Sequence, residues 1–172
     1  SRDAQADFIT GLPESIPFAF DPTGIVTDIP PAILKRVLAR TTWLSCNRSE
    51  AAIIAGAGSD AALAQRLLSA HCPHAEGVVI RAGAEGALLA RRGFEPVFVP
   101  AFAVDTIDTN GAGDTHVGAF IAALSRGLPP VEAVRFANAA AAISTTRHGG
   151  SVAPRLEEIN EFLKCAQEKK SA

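Results

Sequence analysis

Short apolar runs alternate with helix-spaced segments through the first hundred residues, and that alternation constrains the fold more than any other feature. Pro17–Phe20 is a brief apolar run closed by the turn "DPTG". Pro30–Ala39 follows, with Ile33, Leu34, Val37 and Leu38 at helical spacing and prolines at its start. Thr42–Cys46 reads as a short buried strand. Asn47 then opens a helix through Ile54 that stops at "GAGS", and Ser59 caps another through Leu68. Val78–Ile80, Ala87–Ala90 and Pro96–Val99 are strand-like, separated by "AGAEG" and "RRGFE". The later part turns helical: Thr115–Leu124 ending at Gly127, Pro130–Thr145 ended by "HGG", and an amphipathic Arg155–Glu168. Strands alternating with helices argue for an α/β fold with a mainly parallel sheet covered by helices. No repeat or low-complexity linker divides the 172 residues, so residues 1–172 read as one folding unit with a real core.

Composition excludes several classes of partner. A net charge of −2 with 20% charged residues provides no electrostatic case for nucleic acid or an anionic membrane. The longest apolar runs fall far short of a bilayer span, and no basic-then-apolar signal segment opens the chain. Cys46, Cys72 and Cys165 are widely spaced without a C-x-x-C, and read as reduced thiols of a cytoplasmic protein. Methionine is absent even at position 1, so the chain reads as part of something longer.

The stretch "DTNGAGDTH" at 108–116 puts a carboxylate, Asp114, directly after a glycine-rich bend where a helix begins. A helix N-terminus has unsatisfied N–H groups and about half a positive charge, which makes it a natural anion site. Glycines let the backbone approach a phosphate closely. The amides of Gly111, Ala112 and Gly113 are therefore placed to surround a transferring phosphoryl group. Asp114 is placed to take the proton from an attacking hydroxyl. An Asp that merely caps a helix after a flexible turn explains the motif alone equally well. G-x-G-x-x-G fails because position 116 is His116, and the chain contains no G-x-x-x-x-G-K-[ST].

"DTNGAGD" followed by an apolar helix and then "AVRFANAAAAISTTRHGG" resembles the carboxyl-terminal signature of the ribokinase-like (PfkB) family of carbohydrate and nucleoside kinases. The resemblance extends back through "GVVIRAGAEGALL", "NRSE" and "FAFDPTG" in the family's order, covering nearly the whole chain. It implies a doubly wound, mainly parallel sheet with helices on both faces, and transfer of the γ-phosphate of ATP to a hydroxyl. Asp114 is then the catalytic base and Gly111–Gly113 the anion hole. Asn47 and Glu50 match the N-x-x-E motif, with Glu50 near Mg2+ and its waters and Asn47 near the triphosphate. By spacing alone the pair is a capping box, and both roles can hold together. Gly83 and Gly86 match a glycine pair beside the nucleotide, although an ordinary tight turn accounts for them equally well. Asn138 lies in the helix that flanks the adenine in relatives, while a polar residue among alanines more often makes a helix–helix hydrogen bond. Carbonyls of Asp108 and Asn110, with those near Thr145, His148 and Gly150, resemble a monovalent-cation (K+) site.

Some features point away from chemistry, and others depart from the family. "GAGSDA" at 56–61 satisfies G-x-G-x-x-A but follows a helix, and reads as an interhelical turn. "HCPH" at 71–74 has no second cluster to complete a zinc site. His116 replaces a usual Phe, either packing there or bonding to Asp114. Arg81 stands where relatives commonly carry a hydroxyl, and "DPTGI" lacks the arginine of the D-x-N-x-R stretch of sugar-acid kinases. Family members are about twice as long, and nothing here resembles their amino-terminal acceptor site or lid. The expectation is therefore the nucleotide-binding carboxyl-terminal portion of one kinase domain. It would act on a sugar or a nucleoside, and would be inactive without its amino-terminal half or a second copy. A non-catalytic nucleotide-binding or assembly module is the rival reading, and Asp114 argues against it.

Overall fold

The structure, a computed structural model, describes residues 2–171. Five strands form one sheet in the order β1(Ala19–Phe20), β2(Trp43–Asn47), β3(Gly77–Arg81), β4(Gly86–Arg91), β5(Val97–Pro100). The first three run parallel, with Phe20 opposite Leu44 and Asn47 opposite Arg81. Parallel strands need long crossovers, here supplied by helices. α2(Pro31–Arg40) connects β1 to β2, and α3(Arg48–Ala55) and α4(Asp60–Arg66) connect β2 to β3. The links from β3 to β4 and from β4 to β5 are too short for a crossover, so the chain turns back on itself. The Arg92 amide accordingly donates to the Glu76 carbonyl beside the start of β3. The sheet is thus mixed: parallel in its first half and a meander in its second.

Contacts divide the chain into two compact units. The first runs to Ala82 and includes Leu88–Phe98; the second comprises Gly83–Ala87 and the chain from Val99 onward. In the first unit, β2 and β3 are buried along all but their last residue, as apolar runs covered on both faces must be. Leu44, Val78, Ile80, Leu63 and Leu67 form its core. Burying each such side chain contributes about 1.5–3 kcal/mol. In the second unit, α5(Ala112–Ser125) packs on α6(Pro130–Thr145), followed by α7(Leu156–Ser171). The alanines of α6 let the neighbouring backbone come close, and Phe120, Val134 and Phe136 fill the space that remains.

The expected elements all occur, with three differences. A helix α1(Arg2–Gly11) precedes β1, although its sequence carries no clear apolar period. Tertiary contacts hold it instead: Arg36 bonds Asp7 of α1 at 2.6 Å, and Arg40 donates to the carbonyls of Pro13 and Ile16. The helix expected through Leu68 changes after Arg66 into one wider π turn, Leu67–His71. The Arg92 guanidinium receives the chain there, donating to the carbonyls of Leu68, Cys72 and Pro73. Finally, α5 begins at Ala112, three residues before Thr115. "GAGS" is an interhelical turn, and among the described residues no His/Cys/Asp/Glu group could hold a metal. No helix among them is long and apolar enough to cross a membrane.

Cys46 and Cys72 are buried and Cys165 is exposed. Burial pushes the Cys72 thiol up to about 12, and that of Cys46 further still. The thiolate is the reactive form. At pH 8, a thiol reagent is expected to label Cys165 rapidly and the other two only on unfolding. Peptide mapping with and without urea checks this.

Candidate active site

The second unit holds the loop from Asp105 to Gly111 against the end of α6. The amides of Ile107 and Asp108 both donate to the Thr145 carbonyl, at 2.7 and 3.0 Å. The Asp108 carboxylate then spans the gap, accepting from the Asn110 amide on Oδ1 and the Gly149 amide on Oδ2, each at 2.9 Å. Those two donors hold its pKa below the usual carboxylate value, the Asn110 amide contributing most. Asp108, Asn110, His148 and Gly150 are thereby brought together, whereas the Thr145 carbonyl is spent on the loop.

Gly111 then turns the chain into α5 with φ of 74°, a left-handed conformation natural to glycine. A Cβ at this position would also collide with the Gly150 carbonyl. The Ala112 amide turns back to the Thr109 carbonyl, and the first helical bond at this end runs from the Thr115 amide to Gly111. The amides of Gly113 and Asp114 are left at the open helix end, outside that ladder. Asp114, at the third helical position, is exposed, and its carboxylate makes no hydrogen bond to any described residue. Gly111 occupies the capping position, so Asp114 is not the helix cap.

Behind this end lies a buried polar chain. The Asn138 Nδ2 donates to the carbonyls of Val99 and Pro100, at 3.0 and 3.2 Å. That orientation leaves Oδ1 facing His116 Nε2 at 3.0 Å, so Nε2 carries the proton. Asn138 thus makes the helix–helix bond, and also fixes the 99–100 backbone. Gly86 packs against that same backbone, where a Cβ would meet Val99 and Pro100, and the Ala101 amide bonds the Glu85 carbonyl. Gly83, with φ of 59°, opens the turn before Gly86 and faces free space. Gly86 and Asn138 are therefore joined through one segment, residues 99–101, and Gly83 stands apart from it.

Asn47 and Glu50 belong to the first unit and form a complete capping box. The Glu50 amide donates to Asn47 Oδ1, and the Asn47 amide donates back to Glu50 Oε2. Asn47 Nδ2 holds Oε1 as well, at 2.8 Å. A charge lies beside this box that the sequence reading did not assign. Arg81 Nη1 reaches Asp21 Oδ2 and Ser45 Oγ, both at 2.7 Å, and its Nη2 lies 3.6 Å from Glu50 Oε2. A lone charge ending an apolar strand, "GVVIR", was the available signal.

The model of the pfkB family carbohydrate kinases matches residues 20–157. The chain is 40% identical over 123 residues to the ribokinase of Haemophilus influenzae, a match covering 70% of this chain and 40% of that enzyme. Among solved structures, ribokinase from Thermotoga maritima superposes with a TM-score of 0.81 at 31% identity, over 94% of this chain and 53% of that one. Arabidopsis thaliana ribokinase complexed with ribose and ATP gives 0.83 at 25% identity, over 95% and 53%. The chain belongs to the pfkB family of carbohydrate kinases and has the ribokinase-like fold. It spans about half the length of these relatives, or less.

Two glycine substitutions in α5 and its cap should act in opposite directions. Gly111→Ala is expected to lose at least roughly 1–2 kcal/mol from its left-handed backbone alone, before the collision with Gly150. Gly118→Ala, with open space around its Cβ, should gain about 0.5–1 kcal/mol. Urea denaturation midpoints check both. The folded pKa of Asp108 is depressed, so its contribution is present above the unfolded value and lost as pH falls through the folded one. The amide protons of Asn110 and Gly149 should therefore shift together in an NMR titration, with one shared midpoint below 3.8.

Proposed function

We propose that this chain is the nucleotide-binding carboxyl-terminal portion of a kinase that transfers the γ-phosphoryl group of ATP to a hydroxyl of a sugar. One observation carries the reading: Asp114 is exposed, its carboxylate makes no bond to a described residue, and it follows a glycine cap whose helix end leaves amides open. A carboxylate engaged in capping would be tied to the backbone, and this one is available to a substrate. Asp114 takes the proton from the acceptor hydroxyl as the oxygen attacks the γ-phosphorus and ADP leaves. The amides of Gly111 and Gly113, with the positive end of α5, stabilise the charge spreading over the phosphoryl oxygens. Ala112 shapes the same turn, its own amide being bonded to Thr109.

Glu50 and Asn47 are assigned to the metal–phosphate end. Glu50, through water, and Asn47 beside it would hold Mg2+ there, and the ion would supply positive charge against the phosphates. The turn bearing Gly83 and Gly86 and the helix fixed by Asn138 border the adenine. Carbonyls of Asp108, Asn110, His148 and Gly150 are the candidates for a monovalent cation such as K+. A sugar is favoured over a nucleoside because the relatives named above are ribokinases, one of them solved with ribose and ATP. A cytoplasmic setting, where ATP and reduced thiols coexist, suits this activity.

In the protein as its gene encodes it, Asp114→Asn should lower turnover by roughly 10²–10⁴-fold while leaving ATP affinity nearly intact. Steady-state kinetics, after a screen of sugars and nucleosides as acceptors, measures both. Near-normal turnover would remove Asp114 from the mechanism.

A further inference from the structure

Arg81 is the one charged residue carried by the three parallel strands. It ends β3, its register partner Asn47 ends β2, and Asp21 directly follows β1. The guanidinium therefore sits where the carboxyl ends of these strands meet, the place where open α/β sheets form their ligand crevices. Its contacts there are dense. Nη1 holds Asp21 Oδ2 and Ser45 Oγ, both at 2.7 Å. Nη2 lies 3.4 Å from Asp21 Oδ1 and 3.6 Å from Glu50 Oε2. The side chains of Arg81, Asp21 and Glu50 are only 13%, 14% and 5% exposed. Each carboxylate is also tied elsewhere, Asp21 by the Thr23 amide and Glu50 by Asn47.

Two carboxylates share one cation, so the cluster carries a formal charge of about −1. Stability does not account for such a cluster, because well-packed apolar residues in place of a buried ion network are often neutral or stabilising. Its value lies in what it does to the Glu50 carboxylate. Without Arg81, Asp21 and Glu50 would face one another at a combined charge of about −2, and an approaching polyphosphate would be repelled. With Arg81 in place, Asp21 is neutralised and part of the charge beside Glu50 Oε2 is offset, while the Asn47 amide and Nδ2 hold that carboxylate's direction.

We infer that Arg81 is a positioning residue that acts through Glu50, offsetting the negative charge around that carboxylate at the phosphate end of the bound nucleotide. The inference rests on the assignment of Asn47 and Glu50 to that end, and it adds a residue from a different strand. It governs nucleotide affinity, and it leaves the rate of the chemical step to Asp114.

The test uses the protein as its gene encodes it, with ADP as the probe, in calorimetric titrations with and without Mg2+. Arg81→Gln should weaken metal-free ADP roughly tenfold or more, and Mg-ADP less, because the metal offsets the added negative charge. The loss should shrink as salt is raised. Arg81→Lys, which keeps the charge, should recover most of the affinity. Asp21→Asn changes the charge in the opposite sense, and should tighten metal-free ADP several-fold. In turnover, Arg81→Gln should raise the KM for ATP and change kcat by less than about threefold. Should Arg81→Gln fail to fold, the Asp21→Asn measurement carries the test alone. Unchanged metal-free ADP affinity in the folded variants would overturn the inference and leave the kinase reading standing. A wild-type protein that binds ADP under neither condition would overturn both.

Discussion

The candidate site depends on one carboxylate that gathers backbone from both sides of it. Asp108 accepts the amides of Asn110 and Gly149, residues far apart in the chain, while the Thr145 carbonyl receives the two amides at the start of the same loop. Together these bonds bring the loop before α5 against the turn after α6. That closeness leaves no room for a side chain at position 111, whose Cβ would meet Gly150. The left-handed turn at Gly111 then starts α5 with its first amides open and Asp114 in its first turn. A turn made this way is held through main-chain contacts, and owes little to any apolar core of its own.

The two compact units support their candidate residues by different physical means. In the second unit, small residues and buried amides do it: Gly86 and Asn138 both act on the 99–100 backbone, and Asn138, oriented by that backbone, receives His116. In the first unit the support is charge. Glu50 is almost wholly buried, yet it has the Asn47 side chain, the Asn47 amide and Arg81 around it. A buried carboxylate would otherwise shed its charge or destabilise the fold. The capping box serves both ends here. It starts α3, and it holds the carboxylate that we assign to the metal's water shell.

Much of the fold was legible because each element announces itself locally. The apolar runs at 43–46 and 77–80, the helical spacing in α2, the prolines opening α2 and α6 and the capping residues Asn47 and Ser59 all act within a few residues of themselves. The N-terminal helix escaped because Arg36 and Arg40, distant in sequence, hold it and its following loop in place. The π turn at Leu67–His71 escaped for the same reason, since its carbonyls are received by Arg92 from the far end of β4.

The site divides along the same line. "DTNGAGD" and N-x-x-E are contiguous, so Asp114 and Gly111, and through the family resemblance Asn47 and Glu50, stood out as candidates from sequence, with a helix expected just behind the glycine turn. The sequence could not say that Asp114 escapes capping, that Asn138 bonds His116, or that the Ala112 amide is already engaged. Those outcomes depend on which groups meet once helices pack. Arg81 is the clearest case. From sequence it is a charge at the end of an apolar strand; only parallel pairing brings it level with Asn47 and within reach of Asp21, Ser45 and Glu50. Local pattern determines which elements form, because hydrogen bonds within a turn or cap involve near neighbours. Which side chains share a charge is decided by register, because only the folded sheet puts residues 60 apart in sequence side by side.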